Sequence, residues 1–169
     1  MTTLLLPFDG SAGARCGLNH VAGALRREPG LVVHVLNVQP PLSRNVAHHV
    51  GRATCRAFHE EQAATVLSAA QQALDAAGVR HGLHWEVGDR AQCIVDAARR
   101  WRCDRIVIGT TRKSLLVRLV EGSVINRVIA HTSVPVEVIA GDEASRLERI
   151  GIPAGVGTGL TALWFAAAE

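Results

Sequence analysis

The stretch Asp104-Arg105-Ile106-Val107-Ile108-Gly109-Thr110-Thr111-Arg112-Lys113, with Gly122-Ser123-Val124 further on, decides the fold. Ile106-Val107-Ile108 is a compact apolar run closed by a glycine, the pattern of a buried strand. A loop follows, then an amphipathic segment that reaches Ala130. A parallel strand ending at Gly109 would deliver that loop to the carboxyl edge of its sheet, where open α/β sheets bind ligands.

Outward from this passage, strand-like and helix-like segments alternate. Leu4-Leu5-Leu6 with Phe8 reads as a buried strand that turns at Asp9-Gly10-Ser11. Ser11 is placed to cap a helix in which Ala14, Leu18, Val21, Ala22 and Leu25 recur at helical spacing. Leu31 to Val38 is rich in valine and stops at Gln39-Pro40-Pro41, because proline cannot continue a central ladder. Residues 42 to 51 show little pattern and are expected to form a mobile connection. A long helix is expected from about Arg52 to Ala77, with Gly78 as its C-cap.

Leu83, Trp85 and Val87 alternate with His84 and Glu86, which predicts a strand with unequal faces at a sheet edge. Asp89 is placed to cap a helix carrying Ile94, Val95, Ala98 and Trp101. The last strand spans Val134 to Ile139, and Pro135 within it argues for the opposite edge. The alternation predicts a five-stranded, mostly parallel, doubly wound α/β sheet. An apolar edge strand invites pairing with a second copy, so a homodimer through Val134-Ile139 is expected.

With 169 residues, 48% of them apolar, the chain can build one core without metal or disulfide staples. We expect one domain over residues 1–141 and a C-terminal extension over 142–169. The formal charge of +3 is modest, and the few aromatic residues do not interleave with basic ones, so no primary nucleic-acid partner is expected. Cys16, Cys55, Cys93 and Cys103 are widely spaced, without a CxxC, and read as buried thiols in a reducing compartment. The first residues lack the pattern of a signal peptide, so a cytoplasmic location is expected. The uncharged stretch from Ile150 to Ala168 reaches transmembrane length. Its glycines and Pro153 instead divide it into an irregular piece and a short apolar helix, expected to pack on the domain or a partner rather than span a membrane.

The chemistry-bearing residues gather at the expected carboxyl edge. Glycines at 109 and 122 permit close backbone approach, and unpaired N–H groups at the start of the following helix suit a phosphate. Ser123 can donate a hydrogen bond, while Arg112 and Lys113 can offset phosphate charge. The alternative is a glycine-rich crossover with a solvated basic pair, and neither GxxxxGK[ST] nor GxGxxG is present. Asp9 could accept a hydrogen bond from a ribose or an adenine amino group, or serve as an Asx turn or helix cap. Val38 could touch a base or pack in the core. The histidines form no metal-ligand pattern, no metal site is expected from them, and no nucleophile–base–orienter set is evident.

Taken together, these segments resemble the universal stress protein family over about residues 2–140. Four regions carry the resemblance: Leu4 to Ser11, His34 to Val38, Gly88 to Val95, and Asp104 to Val136 with Gly122-Ser123-Val124 inside it. The resemblance implies an adenine nucleotide alpha-hydrolase-like fold, dimerisation through the final strand and, in some members, ATP binding. ATP-binding members carry G-x-x-G, nine residues, then G-[ST]. Gly109 matches the first position and Gly122-Ser123 the last pair, but Arg112 stands where the second glycine is expected.

By resemblance, Asp9 and Val38 match adenosine-contacting positions, and Gly109, Gly122, Ser123 and Val124 match the phosphate-contacting region. Arg112 either obstructs the phosphate approach or replaces a backbone contact with an ionic one. The expectation is a regulatory protein that binds ATP or a related adenine nucleotide, with magnesium accompanying it. No dedicated catalytic activity is expected beyond weak ATP hydrolysis. The alternative is a dimeric stress-response scaffold that binds no nucleotide.

Overall fold

The computed structural model describes residues 1–25, 27–111 and 124–141, with the side chains of 44–48 left aside. Among these residues five strands and four helices alternate: β1 (Thr3–Pro7), α1 (Ala12–Ala24), β2 (Val32–Gln39), α2 (Arg44–Ala76), β3 (Arg80–Val87), α3 (Arg90–Arg100), β4 (Arg105–Thr110), α4 (Val124–His131) and β5 (Val136–Ala140). The strands form one sheet in the order β3-β2-β1-β4-β5, and every pairing is parallel. The expected five-stranded doubly wound sheet is therefore the observed one. β3 and β5 are its edges, as expected from the mixed polarity of the first and from the proline that precedes the second.

Period-two alternation divides the core between the two faces. Leu4, Leu6, Val33, Val35 and Val107 pack with Leu18, Val21, Ala70 and Leu74 of α1 and α2. Leu5, Leu36, Ile106 and Ile108 face the other way, onto Ile94, Val95, Ala98 and Val128 of α3 and α4. Both faces being covered explains why the central strands read as continuous apolar runs.

Local signals set the element ends. Ser11 caps α1 by accepting the Ala14 N–H at 3.1 Å. Gly78, at φ 68°, ends α2, and the Val79 N–H reaches back to the Leu74 carbonyl at 2.9 Å, a Schellman closure. Two expectations need correction. Helical structure begins at Arg44, not at residue 52, and is interrupted by Gly51 at φ 77°, ψ 159°. That backbone is open to glycine and strained for other residues, so one helical piece ends and another starts there. Residues 44–50 have no continuous apolar face to announce a helix. Pro135 lies just before β5 rather than inside it; its carbonyl accepts the Ile106 N–H at 2.9 Å. The proline thus contributes an acceptor to the ladder without needing a donor.

The four cysteines are free thiols. Burial pushes the Cys103 thiol up to about 11 and raises that of Cys93, so both are held protonated. His34, inside β2, has a structural partner: its Nδ1 lies 3.0 Å from Nε2 of His84 on β3. Trp101 stacks on His34 and tilts across His84, with ring centroids 4.9 and 4.1 Å away. Among the described residues, no helix is long and apolar enough to cross a membrane. The extension over 142–169, including the apolar stretch from Ile150, lies outside the described residues.

Candidate functional site

In the order β3-β2-β1-β4-β5, the chain runs outward from β1 to β3 and then returns to the other side of β1. The reversal leaves a crevice beyond the carboxyl ends of β1 and β4, the position at which doubly wound sheets take ligands. A cavity of about 190 Å³ occupies that crevice. Pro7 enters from the end of β1 and Asp9 from the turn after it, Val38 from β2, Ile108 and Gly109 from β4, and Val124 from α4. Leu36, Ile94 and Ile125 complete apolar walls, and the polar groups stand at the rim. Such a lining suits a flat apolar ring system carrying polar substituents.

Asp9 is exposed and directs one carboxylate oxygen to the Ser11 N–H at 3.0 Å. It is thus the Asx turn that the Asp9-Gly10-Ser11 sequence allows, while Ser11 rather than Asp9 caps α1. Gly10 adopts φ 75° to make the turn. Val38 is largely buried yet lines the cavity, so its core role and its cavity-facing position coexist.

Gly109 has a neighbour that its motif does not reveal. A Cβ at this position would overlap the Gly13 carbonyl oxygen and lie 2.5 Å from the Gly17 nitrogen. Gly13 and Gly17 are themselves pressed against β4: a Cβ on either would stand 3.0 Å from Gly109 or Thr110 backbone atoms. Three glycines therefore bring α1 and β4 into backbone contact, and Gly109 also lines the cavity.

A second cavity of about 420 Å³ adjoins the first across Asp9, Val38 and Arg90, which line both. Its floor is a buried polar network. Asn37 donates to the Phe8 carbonyl at 2.8 Å, and Gln39 donates to Asn37 Oδ1 at 3.1 Å and to the His59 carbonyl at 2.8 Å. His59 Nδ1 meets Gln39 Oε1 at 2.7 Å. These residues lock the end of β2 to α2 and to the residue preceding Asp9. Asn37, Gln39 and His59 lie far apart in sequence or look like ordinary strand and helix residues, and only their convergence marks them.

The far wall is braced by ion pairing. Asp89 caps α3 through the Gln92 N–H at 3.0 Å and receives a two-pronged contact from Arg127 of α4, both at 2.8 Å. The Arg127 guanidinium and the Gln92 N–H hold the Asp89 carboxyl below its ordinary range. This contact fixes α4, and with it Val124, relative to α3.

Of the eight residues singled out in the sequence, Asp9, Val38, Gly109 and Val124 line one cavity; Arg112, Lys113, Gly122 and Ser123 lie outside the described residues. Arg90 was not among the eight, and its pattern in sequence is that of an ordinary first-turn residue. Among the described residues, no group of three or more His, Cys, Asp or Glu is placed to hold a metal ion.

Comparison with known proteins agrees with this architecture. A universal stress protein from Archaeoglobus fulgidus is 26% identical, with a TM-score of 0.62 over 82% of this chain and 93% of its own. A universal stress protein family protein from Arabidopsis thaliana, solved with AMP bound, shares the fold at 15% identity and a TM-score of 0.63, over 86% of this chain and 95% of its own. A universal stress protein in complex with cAMP does so at 18% identity and 0.60, over 82% and 96%. No curated protein shows significant sequence similarity. The model of the universal stress protein family matches residues 1–140. With the sheet order and the switch-point cavity, that match establishes that the chain belongs to the universal stress protein family.

Proposed function

We propose that the switch-point cavity binds an adenine nucleotide, ATP or a related one, and that occupancy regulates the protein rather than feeding a dedicated reaction. The observation that carries this reading is the convergence of Asp9, Val38, Ile108 and Val124 on one apolar slot with a carboxylate at its rim. The slot takes the base between aliphatic side chains, and Asp9 accepts from a ribose hydroxyl. The AMP and cAMP bound by two structural relatives support this choice of ligand class. Magnesium would come with the nucleotide phosphates, because Asp9 is the one carboxylate among the described lining residues and a single carboxylate does not make a cage. The protein acts in the cytoplasm as a homodimer paired through the edge strand β5 (Val136–Ala140), with no membrane partner and at most weak ATP hydrolysis.

Arg112 favours one competing reading, a dimeric stress-response scaffold in which the arginine occupies the phosphate approach. Calorimetric titration of nucleotide-free protein with AMP and ATP, with and without magnesium, separates the two. Saturable binding that weakens about tenfold in Asp9→Ala is expected, the scale of one hydrogen bond to a charged group. Absence of saturable binding by the folded protein at millimolar nucleotide would establish the scaffold. Tighter binding by Arg112→Gly would mark the arginine as an obstruction, and weaker binding would mark it as a phosphate contact.

A further inference from the structure

We propose that Arg90 and the second cavity form a subsite for a phosphate carried on the ribose of the bound nucleotide, at its 2′ or 3′ position. The inference rests on the nucleotide reading above and extends it to the substrate class: adenosine phosphorylated on the ribose as well as at the 5′ position.

Asp9, Val38 and Arg90 are common to the two cavities, so they form the threshold between them. The nucleotide reading places the ribose at Asp9. The second cavity therefore adjoins the ribose at Asp9, with Val38 of the base slot on the same threshold. At about 420 Å³ it is larger than the chamber that takes the base and admits a hydrated phosphate. Its polar floor offers that phosphate little: Asn37 and Gln39 direct their amide donors into the internal network, and His59 Nδ1 is committed to Gln39.

Arg90 is different. Among the described residues it has neither a hydrogen-bond nor an ion-pair partner, although it stands next to a carboxylate in sequence. Asp89 is engaged by Arg127 and by the Gln92 N–H, which leaves the Arg90 charge uncompensated at the threshold. Arg90 and Asp9 line the same opening without pairing with each other. The two side chains suit different groups on one ribose. A carboxylate accepts from a free hydroxyl and repels a phosphate, whereas a guanidinium presents paired donors that match phosphate oxygens. The same division separates ribose-hydroxyl from ribose-phosphate recognition in dinucleotide-binding sheets. A ribose with one free and one phosphorylated hydroxyl satisfies both.

The experiment is a calorimetric comparison of 5′-AMP, adenosine 2′,5′-bisphosphate and adenosine 3′,5′-bisphosphate on the full chain at low salt, for the parent and for Arg90→Ala. One bisphosphate is expected to bind at least about tenfold tighter than 5′-AMP, the scale of a charge-assisted contact, and the position that gains identifies the phosphorylated hydroxyl. The ratio of bisphosphate to 5′-AMP affinity is expected to collapse to near one in Arg90→Ala and to recover in part in Arg90→Lys. Arg90 is exposed, so both variants keep the core intact. Bisphosphates that bind no tighter than 5′-AMP, or a gain that survives Arg90→Ala, overturn the subsite while leaving the nucleotide reading in place. Failure of 5′-AMP and both bisphosphates to bind overturns the two together.

Discussion

Replacing Gly109 with alanine separates a folding role for this glycine from a ligand role. The new methyl would overlap the Gly13 carbonyl oxygen and stand 2.5 Å from the Gly17 nitrogen, where ordinary contact begins at 3.4 Å. Relief at Gly17 alone requires α1 to retreat by about 0.9 Å, the difference between those two distances. Both obstacles are helix backbone, so no side-chain rotation relieves the overlap. A retreat would loosen Leu18 and Val21, which are buried against the sheet. Overpacking of a core costs roughly 1–3 kcal/mol, and a backbone clash belongs at the upper end. At ~2–4 °C per kcal/mol for a domain of this size, the melting temperature should fall by roughly 6 °C or more. Urea denaturation and thermal melting of nucleotide-free protein read the effect directly. Stability within about 0.5 kcal/mol of the parent, a change typical of harmless surface substitutions, would falsify the backbone-contact account of Gly109.

Two further outcomes follow from the polar clusters. Asn37→Ala removes the donor to the buried Phe8 carbonyl and the acceptor for Gln39, and should lower stability by about 1–3 kcal/mol in urea titrations. An unchanged midpoint would show that the network does not hold the cavity floor. His34 and His84 are both kept below the ordinary imidazole value by burial, with the neighbouring His34 charge adding to the effect on His84. The unfolded chain therefore takes up protons first as the pH falls. The contribution of the pair is complete above about pH 6.5 and is lost as the pH drops through the folded-state values. Urea midpoints between pH 7.5 and 5 should decline less in a His34→Leu/His84→Leu variant than in the parent, and equal declines would remove the pair from the account.

What could be read from the sequence follows from the range of the interactions involved. Strand and helix alternation, the Ser11 and Asp89 caps and the Gly78 stop are set by residues within one turn of each other, and all appear where their patterns place them. Pro135 pointed to the edge, although it precedes β5 and contributes only its carbonyl to the ladder. The helical piece before Gly51 carried no such signal, since its residues lack an apolar stripe. Asp9 and Val38 could be named because strand ends in a parallel sheet share one edge. Arg90 could not, because its significance depends on Asp89 being engaged by Arg127, a residue on another helix. The Asn37–Gln39–His59 network was hidden for the same reason.

The contact between α1 and β4 also changes what the glycine pattern can be made to support. A glycine at 109 is required by Gly13 and Gly17 whether or not a phosphate ever approaches, because the volume a side chain would fill is already occupied by helix backbone. Its presence is therefore equally expected in a nucleotide-binding protein and in a scaffold with this fold. The weight of the ligand argument moves to residues that the fold does not demand. Ile108 and Val38 would be apolar in either case, being strand residues that also pack in the core. Asp9 is less constrained, since its carboxylate is exposed and its Asx turn could be made by asparagine as well. Arg90 is less constrained still, because no described contact within the protein uses its charge. A carboxylate and a guanidinium that line the same opening without neutralising each other are the part of this site that folding constrains least, and a ligand with complementary hydroxyl and phosphate groups would engage both.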